Sequence, residues 1–211
     1  KDLDLIVHTG WPGDNFLKLG IIRERFRRFA KELDKNSKKT LFVDHHRAHA
    51  ASAFYGSGFK SGLVLAVDGC GDWISTSIYI GKGSELRKVD EYFVDQSLGF
   101  MYSRAARLLG LGDFGFGEGK LTALAAYGRP IERFPSPVVL EQGRYRMVDK
   151  YYENNFVKFK RRKGKKLSQR QIDFGASVQS VLEKTISYIL FNAAEKYKEH
   201  NLAIGGGVGL N

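Results

Sequence analysis

The chain has 211 residues, 43% of them hydrophobic, which predicts an ordered globule and excludes an intrinsically disordered protein. No apolar run approaches the ~20 residues that a helix needs to cross a bilayer, and the single cysteine, Cys70, cannot form an internal disulfide, so we expect a soluble cytoplasmic protein with no membrane partner. The formal net charge of +11 leaves nucleic-acid binding open until the position of the charge is known.

The amino-terminal part of the chain predicts two short strands, a surface helix and a helix that begins with histidines. In chain order these elements are the strand 3–9, a turn at 10–13, the helix 21–33, the strand 40–43 and the helix from 45 to about 56. Asp44 precedes the histidines, where its carboxylate is well placed to cap the last of these helices.

The rest of the chain predicts a meander of strands, then helices and a final strand. In chain order these are the strand 63–67, a turn at 68–72, strands 75–80 and 86–93, helices 102–109 and 121–127, a strand pair after Pro137, a long helix 171–199 and the strand 202–204. The continuous apolar run Leu63 to Val67 is typical of a central strand that is buried on both faces. This order of elements predicts an α/β domain with a mixed sheet.

Most of the positive charge lies in one segment. Lys158 to Arg170 contains eight Lys or Arg and no acidic residue. A local run of this kind favours a solvated loop or hairpin tip over a dedicated polyanion site, and steering of anionic substrates is a third interpretation. We therefore expect no nucleic-acid partner.

Three of the five histidines fall within five residues. His45 and His49 stand at i and i+4, so they project from one face of a helix, about 5–6 Å apart. An isolated pair at this spacing is often only structural, because a helix start can bury a histidine against a carbonyl. Asp68 strengthens the metal hypothesis, because it follows a buried strand, where open α/β sheets place ligand-binding groups. Two imidazoles and a carboxylate suit a divalent iron, manganese or zinc ion.

Three glycine-rich segments follow or join the predicted core elements. They are 69–72, 115–120 and 206–211. None has the spacing of a P-loop or of a dinucleotide-binding motif, and each alone is a weak signal. Because glycine lets backbone N–H groups approach phosphate oxygens closely, the three together indicate a nucleotide cleft.

Five motifs in order resemble one family across nearly the whole chain from Leu41 onward. They are 44–55, 67–76, 97–99, 117–128 and 206–211. The family is that of the NodU/CmcH-type O-carbamoyltransferases, which includes nodulation proteins and cephamycin or tobramycin carbamoyltransferases, and the resemblance is to its N-terminal domain. The family is similar to the tRNA threonylcarbamoyl transferases and belongs to the actin-like ATPase superfamily.

The resemblance implies a ribonuclease-H-like mixed sheet with flanking helices, duplicated around a nucleotide and incomplete at both ends of this chain. Residues 1–60 would end the first lobe, and residues 61–211 would form a truncated second lobe. His45, His49 and Asp68 would be ligands of iron. The implied nucleotide-binding residues are Gly69, Gly71, Asp72, Gly117, Glu118, Lys120, Gly206, Gly207 and Asn211.

The implied reaction forms a carbamoyl adenylate from ATP and carbamoyl phosphate and transfers its carbamoyl group to the hydroxyl of a small molecule. A first hairpin, a further metal-ligand aspartate and a C-terminal domain that completes the carbamoyl phosphate site are expected outside the sequence. Thr122, Ala126 and Gly209 stand where the family usually has methionine, proline and alanine.

Two alternatives remain open. One is a relative that acts on tRNA or on a cysteine of a maturation protein, which the run Lys158 to Arg170 favours. The other is a nucleotide- and metal-binding module without catalysis. The histidine motif favours the small-molecule branch of the family, but no motif indicates the acceptor, the catalytic base or the oligomeric state.

Because parts of the implied site lie outside the sequence, we expect the isolated chain of 211 residues to be inactive. The check is a turnover assay of the purified chain with ATP and carbamoyl phosphate. Robust carbamoyl transfer by this chain alone would refute the expectation.

Overall fold

A computed structural model of the chain describes residues 5–9, 40–113, 115–148, 155–162 and 164–211. The strands are β1 (Ile6–Thr9), β2 (Thr40–Val43), β3 (Ser61–Gly71), β4 (Ile74–Lys82), β5 (Glu85–Phe93), β6 (Val138–Glu141), β7 (Arg144–Met147) and β8 (Leu202–Gly205). The α-helices are α1 (His45–Ser57), α2 (Leu98–Leu108), α3 (Glu118–Ala125) and α4 (Gln169–Tyr197), and short 3-10 turns occur at Val94–Gln96, Val157–Phe159 and Gly207–Leu210. The turn at 10–13 and the helix at 21–33 lie outside the described residues.

The main sheet of the described residues has the order β5-β4-β3-β8. β3 pairs antiparallel with β4, β4 pairs antiparallel with β5, and β8 pairs parallel with β3. This arrangement confirms the predicted meander and the mixed sheet of an α/β protein. β1 and β2 form a separate parallel pair, and β6 and β7 form the strand pair predicted after Pro137. The division into two lobes at residue 60 stays a prediction.

β3 has apolar side chains on both of its faces, because its apolar run has no polar interruption, and both faces are covered. Val64 and Ala66 pack with Phe54 of α1 on one face of the sheet. Leu65 and Val67, one residue out of phase, belong to the larger core with α2 and α4 on the other face, as the alternation of side chains along a strand requires. The sheet is therefore the middle layer between helices, and α1 lies alone on its side among the described helices.

The predicted turn at 68–72 is wrong. β3 continues to Gly71, and the turn is formed by Asp72 and Trp73, which both have positive φ angles. The ladder is instead interrupted within the strand: between Val67, opposite Thr76, and Gly71, opposite Ile74, the register shifts. Three residues, 68–70, therefore stand opposite one residue of β4, and this bulge carries Asp68 out of the regular pairing.

The helices agree with the predicted positions but start earlier in three cases. α1 begins after Asp44, whose Oδ1 accepts a hydrogen bond from the Arg47 amide at 2.8 Å, so the predicted cap is confirmed. α2 begins at Leu98, because the Ser97 hydroxyl caps it, and α4 has a capping box at Ser168. α3 begins at Glu118, so the last three residues of the glycine-rich segment 115–120 already belong to a helix.

The basic segment is held against the domain. Phe159 is 3% exposed and stacks on Phe174 of α4 at 4.4 Å between ring centroids, and Leu167 packs against the same core. A hairpin tip was one predicted form of this segment, and that form is not present among its described residues, which are mostly irregular. Within the described ranges, no helix combines the length and the apolar character that a membrane span requires.

The packing of α1 on the sheet generates a stability prediction. A Cβ at Gly81 of β4 would lie 2.5–2.6 Å from ring atoms of Phe54, which is 1% exposed and cannot retreat. We expect Gly81→Ala to lower the free energy of unfolding by about 1–3 kcal/mol through overpacking.

Gly119→Ala is the matched control, because a Cβ at this helical position meets nothing within 4 Å. It should raise the free energy of unfolding by about 0.5–1 kcal/mol. Denaturant unfolding measures both, and a Gly81→Ala protein as stable as the parent would contradict the packing described.

Candidate metal centre and adjoining cavity

Three side chains meet where α1 faces the bulge of β3. Nε2 of His45 and Nε2 of His49 each lie 3.1 Å from Oδ2 of Asp68, and the two nitrogens lie 3.0 Å apart. The helical spacing of four residues brings the imidazoles together, and the bulge turns the carboxylate toward them. The structure therefore brings together the three residues that the sequence suggested as metal ligands.

The triangle of donor atoms fits a metal ion. With metal–ligand bonds of about 2.1 Å, neighbouring ligand atoms lie about 3.0 Å apart on an octahedron and about 3.4 Å apart on a tetrahedron. The observed separations of 3.0–3.1 Å are therefore compatible with one ion bound by all three atoms. Two histidines and one carboxylate, with other positions open, are a ligand set found in non-haem iron sites. The identity of the ion stays a prediction.

The charges of the cluster reinforce one another. Burial favours the neutral acid at Asp68, but hydrogen bonds from His45 and from the Gly69 amide, together with the charge of His49, hold its pKa at about 2. The hydrogen bond to Asp68 raises the pKa of His45 above its usual value, although burial acts in the opposite direction. Asp68 is therefore an anion at neutral pH, which is the state a metal ligand needs.

His45 is positioned by the turn after β3. The backbone amide of His45 donates to Oδ2 of Asp72 at 2.9 Å, and Gly71 lies directly against the imidazole. A Cβ at Gly71 would lie 2.1 Å from Cδ2 of the ring, so only glycine fits. Asp72 and Gly71 were predicted to bind phosphate; that role stays a prediction, and the structure shows that both contact His45.

His46 ties α1 to the sheet. It is 1% exposed, with Nδ1 3.2 Å from the Ala66 carbonyl oxygen and Nε2 3.0 Å from that of Ile74. Burial is the main cause that lowers its pKa, so the ring is neutral at neutral pH and donates to one of the two carbonyls. His46 is therefore the histidine that the helix start buries against carbonyl groups, whereas His45 and His49 face Asp68.

The glycines after β8 permit equally close contacts. A Cβ at Gly205 would lie 2.7 Å from the His49 carbonyl oxygen, and one at Gly206 would lie 2.2 Å from that of Val67. Gly206 also has a φ of 97°, a conformation that other residues rarely adopt. A Cβ at Gly207 would lie 3.0 Å from Oδ1 of Asp68. The segment thus passes close to the backbones of α1 and β3, beside the metal cluster.

A cavity of about 630 Å³ opens next to this cluster. Asp68 belongs to both, and four of the predicted nucleotide-binding residues line the cavity: Gly69, Glu118, Gly207 and Asn211. Helices α2, α3 and α4 supply the remaining walls. A volume of this size is in the range of cofactor and nucleotide pockets.

Four of the other predicted nucleotide-binding residues have structural contacts away from the cavity lining. Gly71 and Asp72 contact His45, as described above, Gly206 contacts β3, and the Lys120 ammonium donates to the Leu111 carbonyl oxygen at 3.0 Å. Gly117 is buried at the start of α3. The binding role of these five residues stays a prediction.

Glu118 organises the loop that borders the cavity. Its carboxylate accepts hydrogen bonds from the Ser103 hydroxyl and from the amides of Gly115 and Gly117, the last two at 3.0 Å. Partial burial opposes ionisation, but these hydrogen bonds lower its pKa below the usual value.

The sequence did not indicate a group of hydrogen-bonded side chains on the cavity wall. The Tyr102 hydroxyl donates to Oε1 of Gln179 at 2.6 Å and lies 3.0 Å from Oγ1 of Thr122. The Asn211 carboxamide closes the ring, since it accepts from Gln179 at 2.6 Å and donates to Thr122 at 2.9 Å. Tyr102 and Gln179 are single polar residues on helices far apart in sequence, and no local pattern connects them.

Comparison with known proteins gives consistent matches. Residues 1–211 match the family described as carbamoyltransferase N-terminus. The chain is 34% identical over 213 residues to nodulation protein NolNO of Sinorhizobium fredii, covering 97% of this chain and 30% of that protein. It is 27% identical over 216 residues to a tRNA N6-adenosine threonylcarbamoyltransferase of Persephonella marina, covering 100% of this chain and 58% of that protein.

Among solved structures, the Aquifex aeolicus Ppx/GppA phosphatase, type II variant, aligns with 97% of this chain and 72% of its own, at 17% identity and a TM-score of 0.33. The chain spans about a third of the length of NolNO, a Synechocystis protein and a Bradyrhizobium nodulation protein.

The contact between Gly71 and His45 generates a prediction about metal binding. Gly71→Ala substitutes none of the three candidate ligands, but it forces the His45 ring to move, because the new methyl group would overlap the ring. We expect the affinity for a divalent ion to fall roughly 10–100-fold, as for changes in the residues that orient metal ligands. Calorimetric titration with Mn²⁺ or Zn²⁺ measures the effect.

Gly56→Ala is the control for this experiment. Gly56 lies on α1, the helix that bears both histidines, and a Cβ there meets nothing within 4 Å. Unchanged affinity in Gly56→Ala and reduced affinity in Gly71→Ala are expected. Equal affinities in both variants and the parent would show that His45 is not a ligand.

Proposed function

The chain belongs to the carbamoyltransferase N-terminal family, and on that premise we propose that it forms the metal- and nucleotide-binding part of an ATP-dependent O-carbamoyltransferase. The observation that carries the proposal is the position of Asp68, which is shared by the histidine cluster and the cavity of about 630 Å³. A metal-bound group and a nucleotide would therefore meet at this carboxylate. The chain covers only part of its relatives, so the substrates of the whole protein belong to the proposal.

In the proposed reaction, water cleaves carbamoyl phosphate to carbamate and inorganic phosphate, and a carbamate oxygen then attacks the α-phosphorus of ATP, so that pyrophosphate leaves and a carbamoyl adenylate forms. The hydroxyl oxygen of a small molecule next attacks the carbamoyl carbon, and the hydroxyl proton passes to solvent. The bond from that carbon to the phosphate oxygen breaks, AMP leaves with the electron pair, and the product is an O-carbamoyl ester. A divalent ion, iron in the first place and manganese or zinc as alternatives, would supply Lewis-acid polarisation of the carbonyl and a fixed orientation of the leaving phosphate.

The described residues support distinct parts of this proposal. His45, His49 and Asp68 would hold the ion, because their donor atoms lie within 3.0–3.1 Å of one another. The backbone of the bulge, at Gly69, lines the cavity without a side chain in the way of a phosphate. Glu118 fixes the opposite loop through three hydrogen bonds, so that wall of the cavity is formed before a nucleotide binds. A wall that is already ordered lowers the entropic cost of ligand binding.

The strand arrangement supports the ribonuclease-H-like fold as part of the same proposal. An antiparallel meander followed by helices and a strand parallel to its first strand is the arrangement that such a domain has, and the described sheet has the order β5-β4-β3-β8. The cavity lies beyond the carboxyl ends of the parallel strands β3 and β8, where α/β sheets bind ligands.

An isotope-exchange assay tests the first half of the reaction without knowledge of the acceptor. The full-length protein should exchange labelled pyrophosphate into ATP only when carbamoyl phosphate is present. Asp68→Asn should lower the exchange rate by at least about 100-fold, because the variant weakens both the ion cluster and its link to the nucleotide.

Asp95→Asn removes an exposed carboxylate outside the cluster and serves as the control. Its exchange rate should equal that of the parent. Absence of exchange in a folded, metal-loaded parent protein, or exchange that does not require carbamoyl phosphate, would contradict the proposed reaction.

A further inference from the structure

The basic segment, Lys158 to Arg170, forms an ordered charged surface over its described residues, 158–162 and 164–170, and carbamoyl transfer to a small hydroxyl does not need such a surface. Its exposed cations among the described residues are Lys158, Lys160, Arg162, Lys165, Lys166 and Arg170. None of them takes part in an ion pair with a described carboxylate. Within the described part of the chain these like charges are therefore not compensated by an ion pair, and an external anion would relieve their mutual repulsion.

The segment is ordered by its apolar residues. Phe159 is buried on Phe174, and the ring also attracts two of the cations: the Lys158 ammonium and the Arg170 guanidinium each lie 5.4 Å from its centroid. Gln171 of α4 donates to the Phe159 carbonyl oxygen at 3.1 Å. A freely moving loop would not hold its cations in a fixed arrangement. Here the buried Phe159 ring fixes the positions of Lys158 and Arg170, the first and last cations of the segment.

Arg161 connects the surface to the loop beside the cavity. Its amide donates to the Leu108 carbonyl oxygen at 2.9 Å, at the end of α2, and its guanidinium donates to the Gly110 carbonyl oxygen at 2.7 Å. The loop that starts at Gly110 continues to Gly115, which lines the cavity. The basic surface therefore borders the candidate site.

Two unusually exposed aromatic side chains lie on segments that adjoin the basic segment. Phe116 and Tyr127 are each 79% exposed. Phe116 belongs to the loop after Gly110, whose carbonyl oxygen accepts from Arg161, and Tyr127 precedes Gly128, which lies against the backbone of α4 at Ile172. Cations beside exposed rings are typical of surfaces that bind single-stranded nucleic acid, where phosphates contact the cations and bases stack on the rings. Within the segment Phe159 and Leu167 pack against the core, and the exposed Val157 beside it is too small an apolar surface to favour insertion into a lipid surface.

We propose that the described residues 158–162 and 164–170, with Phe116 and Tyr127, form a binding surface for single-stranded RNA, contacted through its phosphates and without base sequence specificity. The inference goes beyond the proposed function, and it differs from the expectation from sequence that this run is a solvated loop and that the protein has no nucleic-acid partner. Carbamoyl transfer to a small hydroxyl can be correct whether or not RNA binds, so the two proposals fail separately.

The test is binding of a labelled 20-nucleotide oligouridylate to the full-length protein at several salt concentrations. Each phosphate contact contributes about 0.7 to the slope of log affinity against log salt, so five or six cations predict a slope of roughly −3 to −4. Replacing five cations with glutamine, at 158, 160, 162, 165 and 166, should weaken binding at low salt at least about tenfold and bring the slope close to zero.

A matched variant replaces five exposed cations elsewhere with glutamine, namely Lys60, Lys82, Arg87, Lys184 and Lys196, and so has the same net charge. It should bind RNA nearly as the parent does. The double variant Phe116→Ala and Tyr127→Ala should bind about fivefold or more weakly with an unchanged salt slope, because stacking and not charge is lost.

Several outcomes would overturn the proposal. They are equal losses in the two glutamine variants, full affinity in the ring variant, binding of a 20-residue polyglutamate as tight as that of RNA, and binding to phosphatidylglycerol vesicles without binding to RNA. Full affinity in the ring variant, or tight binding of polyglutamate, would indicate an acidic protein partner. Binding to vesicles without binding to RNA would indicate a membrane surface.

Discussion

The close approach of α1 to the bulge of β3 is the constraint on which the candidate site depends. Asp68 reaches the two imidazoles only because the bulge takes it out of the ladder and because the helix lies near enough for donor atoms to meet at 3.0–3.1 Å. Buried His46 holds the helix at that depth by its contacts with carbonyl groups of β3 and β4. An ion in this position would bind to atoms that the fold has already brought together, which lowers the cost of ordering them.

Glycine is what makes this approach sterically possible, a role that its sequence context did not suggest. Gly71 lies on the His45 ring, Gly205 on the His49 carbonyl group and Gly206 on that of Val67, each at a distance that excludes a Cβ. Glycines before and after the cluster therefore serve helix–sheet packing. Gly69 and Gly207 line the cavity, and phosphate binding there stays a prediction, because the Gly69 amide already donates to Oδ1 of Asp68 at 2.7 Å.

The sequence predicted those parts of the fold and site that depend on local patterns. A continuous apolar run located β3, alternation located β4, the capping residue located α1, and the spacing of His45 and His49 placed both imidazoles on one face. The turn at 68–72 was wrong because a glycine-rich stretch looks alike in a turn and in a bulged strand, and only the register against β4 distinguishes them. The ring of Tyr102, Thr122, Gln179 and Asn211 could not be predicted, since its members come from four separate segments.

That ring also bears on how the cavity can recognise a ligand. Both groups of the Asn211 carboxamide already have partners, its oxygen at Gln179 and its nitrogen at Thr122. A ligand that hydrogen-bonds to Asn211 must replace one of these partners, donate to the second lone pair of the amide oxygen or accept from the second amide hydrogen. Replacement leaves a displaced side chain to be satisfied elsewhere, so a ligand that uses the remaining lone pair or hydrogen is favoured. If the proposed function is correct, the Asn211 wall would then select a ligand mainly by shape, while an ion held by Asp68 would face the phosphate end.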